Sequence, residues 1–314
     1  MSRNFFELNE VGRLITNPQN LTAEELESLL WTAIDIRTKL YRKDFRTRLP
    51  NIKDARVLIL LIKPSPYIQL PAVNAAEVLE TRFKVLVDQN WDTAGDIGDT
   101  MKFLESQADI IVGQCRFQCI LDTIKKLMTP IFICKSLKFK SINCLAEIMT
   151  TYLKYGRLKG LKVAWLGQPN RLLNSYLTMG TKLGMNISYC CACNSNYMQS
   201  PAVLNEAKKI CKDTHSILEE CDSIANVLKD ARVVITSKKG FLHETLTIEM
   251  MKMAAPDATT FFHLPRGEKQ VADSLVHNEV CLTWEAAQNV KWIFAAAMVM
   301  LLSDYRHSIA KPKF

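Results

Sequence analysis

The chain has 314 residues, 48% of them hydrophobic, which is enough for two domains that each bury a core. The formal net charge of +8 comes from lysines and arginines scattered singly or in pairs, and no nucleic-acid-binding motif is present. The apolar segment 292–302 is about half of the ~20 residues that a membrane span needs. We therefore expect no nucleic acid and no membrane among the partners.

Ten cysteines occur at irregular spacing in a chain too large to need a disulfide framework, which favours a reducing compartment. The cluster Cys190, Cys191 and Cys193 lacks a second Cys or His pair at zinc spacing. We therefore expect strand residues there, and neither a metal nor another cofactor.

The first half of the chain alternates helical and strand patterns. Thr22 followed by Glu25 predicts a capped helix over 21–42, and the apolar spacing of this segment is helical. Apolar runs predict buried parallel strands at 57–62, 84–87, 108–112 and 130–134. Further helices are predicted from Pro71 to residue 81 and over 99–107, 119–127 and 142–155, the last ending at Gly156.

The same alternation restarts in the second half. Strands are predicted at 161–167, 186–190, 232–236 and 260–264, and helices at 170–183, 202–211 and 286–303. The pattern predicts an α/β fold with two doubly wound parallel-sheet domains, 1–145 and 146–285. Residues 286–314 are expected to form a C-terminal helix and tail that pack back across both domains. No charge is evident within the apolar strand runs and helix faces.

Four segments in register resemble animal ornithine carbamoyltransferases: 157–167, 181–185, 263–266 and the tail 302–314. The ordered set, rather than any single motif, carries this resemblance. It implies a trimer of two-domain α/β subunits with active sites between subunits. It also implies a reaction of carbamoyl phosphate with ornithine that gives citrulline and phosphate without metal or cofactor. Domain 1–145 would then be similar to the carbamoyl phosphate domain, and domain 146–285 to the ornithine domain.

The resemblance further suggests a homotrimer, or a mixed trimer with an active relative. It implies the mitochondrial matrix, whereas Glu7 and Glu10 among the first ten residues are unlike a transit peptide. A cytoplasmic location therefore remains an equal expectation.

The loop after the first strand departs from the family pattern. Carbamoyl phosphate is a dianion that needs amide groups and guanidinium groups around it. The family supplies Ser-Thr-Arg-Thr-Arg, and the matching residues here are Ser65, Pro66, Tyr67, Ile68 and Gln69. Two arginines and two threonine hydroxyls are thus replaced, and the proline has no N–H to donate. Each lost charged hydrogen bond weakens binding by about 1.5–3 kcal/mol.

Other positions of the carbamoyl phosphate site show the same trend. Gln114 stands at a family Arg, while Lys140 and Asn143 stand where a His and a Gln hold the carbamoyl group. Leu264 and Arg266 are retained from the Leu-Pro-Arg loop. Val290 replaces an Arg that the family has near its C-terminus. The family's catalytic Cys is either replaced by His263 or deleted, so no catalytic residue is intact.

The amino-acid site is altered as well. In the family's Asp-Gly-Asn-Asn turn the two asparagines correspond to Asn170 and Arg171. Ser237 replaces the Asp that should meet the ornithine amine, and Lys238 and Lys239 follow it. Phe241 and Leu242 continue this loop. Cationic side chains at this place should repel a cationic amino acid.

Several of these residues also have structural interpretations. Ser65 is expected to cap or turn the chain rather than bind a ligand. Arg266 could bind an anion or brace the domain interface. The basic side chains Lys140, Arg171, Lys238 and Lys239 are expected to be solvated, with a new anion pocket as the alternative, and His263 is expected to be structural.

The sequence as a whole favours a folded, inactive binding, structural or regulatory relative of the family. The alternative is a carbamoyltransferase with residual activity or with an acidic second substrate. A small anion or an amino acid remains a candidate ligand in both cases.

Overall fold

The computed structural model describes residues 14–15, 20–41, 52–93, 96–116, 128–190, 200–237 and 245–314. The chain divides into two compact units. The first comprises Met1–Leu145 with Gln288–Pro312, and the second comprises Ala146–Ala287 with Lys313–Phe314. Each unit contains one five-stranded sheet whose strand pairs all run parallel. The α/β class with two parallel-sheet domains is thereby confirmed.

The first sheet has the strand order β1-β5-β4-β2-β3. Its strands are β1 (Leu14–Ile15), β2 (Arg56–Leu61), β3 (Arg82–Val87), β4 (Ile110–Gln114) and β5 (Ile131–Lys135). The helices of this part of the chain are α1 (Ala23–Tyr41), α2 (Pro66–Val78) and α3 (Ile97–Gln107). The central strands β2 and β4 are apolar along most of their length because both faces are covered.

The second sheet has the strand order β10-β9-β6-β7-β8. Its strands are β6 (Lys162–Leu166), β7 (Asn186–Cys190), β8 (Leu218–Glu220), β9 (Val233–Thr236) and β10 (Thr259–Phe262). The remaining helices are α4 (Ser141–Tyr155), α5 (Arg171–Ser175), α6 (Pro201–Thr214), α7 (Ile224–Leu228), α8 (Ile248–Met251), α9 (Asp273–Val276) and α10 (Thr283–Leu302). A π-helical turn, Tyr176–Gly180, extends α5. Helices α4 and α10 each contribute residues to both units.

Both sheets contain a topological switch point. The chain leaves β2 to form β3 on one side and later β4 on the other, and it leaves β6 to form β7 and later β9 in the same way. Ligands of doubly wound sheets bind in the crevice outside the carboxyl ends of the strands at such a point. The residues that follow β2 and β4, and those that follow β6 and β9, are therefore the places to inspect.

Local signals predicted several elements correctly. Thr22 and Glu25 form the expected capping box of α1, with the Thr22 N–H donating to Glu25 Oε2 at 2.7 Å and the Glu25 N–H donating to Thr22 Oγ1 at 3.2 Å. Gly156 and Gly184 follow their helices at φ +69° and +76°, a conformation that side chains with a Cβ rarely adopt.

The start of α2 was predicted wrongly. The helix begins at Pro66 instead of Pro71, and Pro71 lies inside it. Pro66 suits the first helical position because that N–H has no partner within a helix. Pro71 deprives the Tyr67 carbonyl of its usual i→i−4 donor, yet the helix continues because the apolar face of α2 is buried.

Other boundaries also differ. Strand β4 lies two residues later than predicted, β10 ends at Phe262, and the helix over 170–183 contains the π-helical turn. The hydroxyls of Thr178 and Thr181 donate to main-chain carbonyls within that helix, a contact that distorts helical geometry. The short strands β1 and β8 were not predicted. The predicted helix over 119–127 lies outside the described residues.

The expectation that no charge lies within the apolar helix faces is wrong for α1. Asp35 is fully buried and Lys39 is almost so, with 2.9 Å between Lys39 Nζ and Asp35 Oδ2. Tyr305 Oη and Ser308 Oγ donate to the same carboxylate at 2.7 and 2.6 Å. We call these four residues the tail clamp. The carboxylate is tolerated inside because the tail supplies its partners.

Among the described helices, none combines the length and the apolar character that crossing a membrane requires.

Candidate functional site

The first candidate half-site lies at the carboxyl edge of the first sheet. Ser65 follows β2, Gln114 ends β4, and Lys140 and Asn143 lie at the start of α4, shortly after β5. Strand β4 pairs with both β2 and β5, so these segments emerge side by side. The structure thus brings the residues assigned to the carbamoyl phosphate site in domain 1–145 to one edge.

The amino-terminal end of α2 offers few free amide donors. Pro66 occupies the first helical position and has no N–H. Further along the first turn, the Ile68 and Gln69 N–H groups donate to the Ser65 carbonyl at 3.0 and 2.8 Å. Tyr67 is exposed and Gln69 is half-buried. Within the described part of the chain, the first turn of α2 therefore has no arginine and has one amide donor fewer than a turn without proline, which disfavours a phosphate there.

Ser65 occupies the N-cap position of α2, as expected, but its side chain makes no capping hydrogen bond. Its carbonyl, rather than its hydroxyl, organises the turn into the helix. The hydroxyl is half-buried and is available to a ligand or to solvent.

Gln114 is only 4% exposed, and its Nε2 has no acceptor among the described residues. The β4–β5 register shifts between Gly113 and Gln114, so Gly113 pairs with Ile133 whereas Gln114 pairs with Lys135. Such an irregularity re-aims the side chain at the end of a strand. A buried amide donor without a partner is unusual enough to require an explanation.

The start of α4 presents a second unusual amide. Asn143, in the first turn, is half-buried, and its Oδ1 is inaccessible and receives no donor among the described residues. Lys140, just before the helix, is half-buried and interacts with other groups of the protein. By the sequence resemblance, these two side chains stand where the family's His and Gln hold a carbamoyl group. Lys140 replaces the imidazole with an ammonium group, whereas Asn143 keeps the carboxamide of Gln on a side chain one methylene shorter.

A buried ion pair at this edge was missed in the sequence. Asp92 is 1% exposed, and its Oδ2 accepts from the Arg116 N–H at 2.6 Å. The Arg116 Nε lies 3.3 Å from the other carboxylate oxygen. This contact is at ion-pair distance, but Nε and Oδ1 are not aligned as a hydrogen bond, so Asp92 neutralises Arg116 while the partly exposed guanidinium remains at this edge. An isolated Asp in a polar loop gives no sequence signal of burial.

The second candidate half-site lies at the carboxyl edge of the second sheet. After β6 the chain turns at Gly167, which has φ +103°. The Asn170 side chain then caps α5, accepting from the Leu172 N–H at 2.7 Å. Arg171 points from the first turn into a partly desolvated, still exposed position, and burial lowers the pKa of its guanidinium. Asn170 therefore has a structural role here, and Arg171 adds a cation at the switch point.

Ser237 follows β9 at the same switch point and is 1% exposed. Its N–H donates to the Leu166 carbonyl at 2.9 Å, which joins the ends of β9 and β6. Ser237 also has further interactions within the protein. The neighbouring candidates Phe241 and Leu242, with Lys238 and Lys239, lie outside the described residues.

The loop after β10 is anchored by Gln270, which the sequence analysis did not single out. This fully buried side chain accepts from the Gly267 N–H at 2.9 Å and donates through Nε2 to the Thr236 carbonyl at 3.0 Å. It ties the end of β9 to the loop that contains Leu264 and Arg266. Its role depends on contacts 34 residues apart, so no local pattern could reveal it.

The two candidates of this loop differ in their surroundings. Leu264 is half-buried and packs against the core of the second unit. Arg266 is exposed, with its Nη1 2.6 Å from Asp273 Oδ1 at the start of α9. This surface pair engages Arg266 within its own unit, and the sequence analysis did not consider it. His263 follows β10, is half-buried and interacts with other groups, whereas Val290 is buried within α10.

These features define a class of protein with two parallel α/β domains and a candidate ligand site at the switch point of each sheet. Solved structures share this fold. Ornithine carbamoyltransferase from Pyrococcus furiosus matches 93% of this chain and 97% of its own, with a TM-score of 0.84 and 22% identity. A mitochondrial ornithine carbamoyltransferase from Coccidioides immitis matches 92% of this chain and 96% of its own, with a TM-score of 0.82 and 20% identity.

The sequence comparisons report similarity to the same group of enzymes. Residues 159–301 match the family described as "Aspartate/ornithine carbamoyltransferase, Asp/Orn binding domain". The mitochondrial ornithine transcarbamylase of Gallus gallus is 27% identical over 96% of this chain and 89% of its own length. The mitochondrial ornithine carbamoyltransferase of Aquarana catesbeiana is 26% identical over 96% and 90%. Over residues 159–301, and over most of its length by these relatives, the chain is therefore similar to the aspartate/ornithine carbamoyltransferases, in agreement with the resemblance seen in the sequence.

Proposed function

We propose that this chain is a carbamoyltransferase homologue that does not catalyse carbamoyl transfer and acts as a binding, structural or regulatory protein. The start of α2 carries this proposal. Pro66 supplies no N–H, the Ile68 and Gln69 amides donate to the Ser65 carbonyl, and Tyr67 and Gln69 stand in place of two arginines. A carbamoyl phosphate dianion bound there would be poorly neutralised and poorly hydrogen-bonded.

The second half-site supports the same conclusion. The family's Asn and Asp, which would hold the backbone and amine of ornithine, are Arg171 and Ser237 in this chain. An additional cation and a missing carboxylate both disfavour a cationic amino acid. Replacement in both half-sites is more consistent with loss of the reaction than with one variant loop compensated elsewhere.

Citrulline formation from carbamoyl phosphate and ornithine tests this proposal. We expect purified protein to give no rate above a no-protein control at millimolar substrates. A rate well above that control would contradict the proposal. Heat-denatured protein and an authentic ornithine carbamoyltransferase at the same concentration are the matched controls.

A restored loop provides a positive arm. The variant Pro66→Thr, Tyr67→Arg, Ile68→Thr, Gln69→Arg rebuilds the family's pattern after β2. Two regained charged hydrogen bonds of about 1.5–3 kcal/mol each should tighten carbamoyl phosphate binding by roughly two to four powers of ten. If the restored loop binds no better than the parent, the loop is not the reason for the loss.

We also propose that the protein assembles as a homotrimer, or as a mixed trimer with an active relative. Exposed apolar side chains on α2 and the edge strand β3 support an interface, namely Tyr67, Leu70, Leu86 and Val87. Light scattering after size exclusion, alone and after co-expression with an active relative, should give the mass of three subunits. A monomer in both samples would contradict this assembly.

For the location, we propose the mitochondrial matrix or the cytoplasm. Relatives named as mitochondrial in Gallus gallus and Aquarana catesbeiana support the first. Fractionation of cells that express the untagged protein distinguishes the two. Absence of the protein from both the mitochondrial and the cytoplasmic fraction would contradict both locations.

A second candidate function is a carbamoyltransferase with an acidic second substrate or residual activity. Arg171 at the β6–β9 switch point favours it, because this guanidinium is partly buried and would interact favourably with an acidic group. Melting-temperature measurements with dicarboxylates and acidic amino acids test it. A shift that disappears in Arg171→Gln would support this candidate, and the absence of any shift would rule it out.

A further inference from the structure

We infer that Ser308 in the C-terminal tail is a phosphorylation site, and that a phosphate on its hydroxyl opens the tail clamp, which consists of Asp35, Lys39, Tyr305 and Ser308. The inference goes beyond the proposed function and holds whether or not the chain catalyses carbamoyl transfer. It gives the tail two states, closed while Ser308 is unmodified and open once it is phosphorylated.

Ser308 is the exposed member of the tail clamp. It lies in segment 303–314, which follows α10 and contains neither helix nor strand. The residue is exposed, although its Oγ donates to Asp35 Oδ1 at 2.6 Å. Extended segments at chain ends are readily drawn into the cleft of a modifying enzyme. The position of Ser308 therefore suits covalent modification.

The charges beside Ser308 distinguish it from the other exposed serines and threonines of the described ranges. Those residues are Thr22, Thr93, Ser106 and Ser274, and each has an acidic residue within two positions. Ser308 has no acidic residue within three positions on either side, while Arg306 precedes it by two residues and Lys311 follows it by three. Kinases choose substrates by charge patterns of this kind, so a kinase that selects basic segments should choose Ser308.

The contacts that hold residues 305–311 go to side chains of α1 within the first unit. Besides the clamp itself, Trp31 Nε1 donates to the Ile309 carbonyl at 3.2 Å, and Lys311 pairs with Glu27 at 2.7 Å. A chain end held in this way opens locally without unfolding of the sheet behind it. The opened tail presents its serine hydroxyl to a kinase.

The modification is a phosphoryl transfer from ATP. A bond forms between Ser308 Oγ and the γ-phosphorus as the bond from that phosphorus to the ADP oxygen breaks. The hydroxyl proton passes to a base of the kinase, and ADP leaves. The product is a phosphoserine in the tail.

A phosphorylated Ser308 no longer fits the closed clamp. Modification removes the proton that is donated to Asp35 and adds a charge of about −1.5 to −2. The Asp35 carboxylate is fully buried, so salt screens the repulsion only weakly. Lys39 is already engaged, with its Nζ 2.9 Å from Asp35 Oδ2 and donating to Tyr305 Oη at 2.7 Å. The closed state is therefore disfavoured once the phosphate is present.

Amide hydrogen exchange of the full-length protein measures this opening. The N–H groups of Ser308 and Ile309 donate to the Asp35 carboxylate at 3.1 and 3.2 Å, so their exchange requires the clamp to open. With phosphoserine incorporated at position 308, we expect both amides to exchange at least about ten-fold faster, equivalent to ~1.4 kcal/mol. Rates are compared with those of the free peptide 303–314 carrying the same modification. Unchanged exchange would overturn the inference.

Matched variants separate charge from bulk. Phosphoserine at position 274, exposed in α9 of the second unit, should leave the tail amides unchanged. Ser308→Ala removes only a neutral donor and should accelerate exchange less than phosphoserine does. In Asp35→Asn the phosphate meets no carboxylate, so phosphorylation should change the exchange rates less than in the wild type. Equal acceleration by phosphorylation in both backgrounds would overturn the electrostatic opening.

The assignment of the site is tested with protein kinase C, a serine kinase that selects basic substrates, and Mg·ATP. Peptide mass spectrometry of the full-length protein should find a phosphate on Ser308. Arg306→Ala should slow this modification, whereas Arg157→Ala, at an exposed position of the second unit, should leave its rate unchanged. The absence of phosphate on Ser308, or equal rates for the two variants, would overturn the assignment.

Discussion

Replacement of Asp35 by alanine should destabilise the first unit more than any loss of a surface charge. Its carboxylate accepts from Tyr305 Oη at 2.7 Å and from Ser308 Oγ at 2.6 Å, and it pairs with buried Lys39 at 2.9 Å. Removal of one partner from a buried ion pair leaves the other charge uncompensated, at a cost of about 3–5 kcal/mol. We expect Asp35→Ala to lower the free energy of unfolding by this amount.

Urea unfolding at pH 7, followed by tryptophan fluorescence, measures the effect. Trp31 is a local reporter, because it stacks on His307 of the tail with ring centroids 3.5 Å apart. The matched control is Arg82→Ala, which removes a pair with Asp54 at 2.9 Å that is exposed on both sides and contributes under about 1 kcal/mol. The double variant Asp35→Leu, Lys39→Met should recover part of the loss. Equal destabilisation by Asp35→Ala and Arg82→Ala would refute the structural role of the clamp.

Three further perturbations test the fold, two of them beside the candidate half-sites and one at the C-terminal tail. Gln270→Met should lower the free energy of unfolding by about 2–4 kcal/mol in the same urea assay, since it breaks two buried hydrogen bonds, whereas a loss under 0.5 kcal/mol would contradict its anchoring role. Gly113→Ala should destabilise the protein by about 1–3 kcal/mol in thermal unfolding, because the new Cβ would lie 2.8 Å from the Leu60 carbonyl oxygen on β2. An unchanged melting temperature would mean that β2 and β4 move apart easily. Acidification from pH 7.5 to 5 should lower the stability of the tail, and His307→Gln should reduce that pH dependence, which a pH series of urea unfolding curves measures directly.

The sign of this last effect follows from the pKa of His307. Burial lowers its pKa below the ordinary value of 6.5. The stability it contributes is therefore present above pH 6.5 and is lost as the pH falls through the folded-state pKa, since the unfolded chain binds the proton more readily. Burial raises the pKa of Asp35, but the hydrogen bonds from Ser308, Tyr305 and Lys39 outweigh it and lower the pKa below 3.8. Its contribution is lost only at more acidic pH. Stability independent of pH between 7.5 and 5 would contradict the assignment to His307.

The sequence predicted those parts of the fold that depend on neighbouring residues. The apolar run at 57–62 predicted β2, and Thr22 with Glu25 predicted the start of α1, because burial and capping act over a few residues. Two prolines near the start of α2 each suited the first helical position, and tertiary packing decided between them.

Long-range contacts explain what was missed. The burial of Asp35 depends on Ser308, 273 residues away, and that of Asp92 on Arg116 after a different strand. The resemblance to the family identified Gln114 as a replaced position. Only the fold reveals that its Nε2 is buried without an acceptor among the described residues, because neither burial nor satisfaction of hydrogen bonds can be read from a single residue.

Isothermal titration of the protein with carbamoyl phosphate tests the central claim most directly. We expect no saturable heat up to millimolar ligand, because Pro66, Tyr67 and Gln69 leave the dianion without amides and guanidinium groups around it. Saturable binding with a micromolar or lower Kd, accompanied by citrulline formation once ornithine is added, would show that this half-site is still a carbamoyl phosphate site.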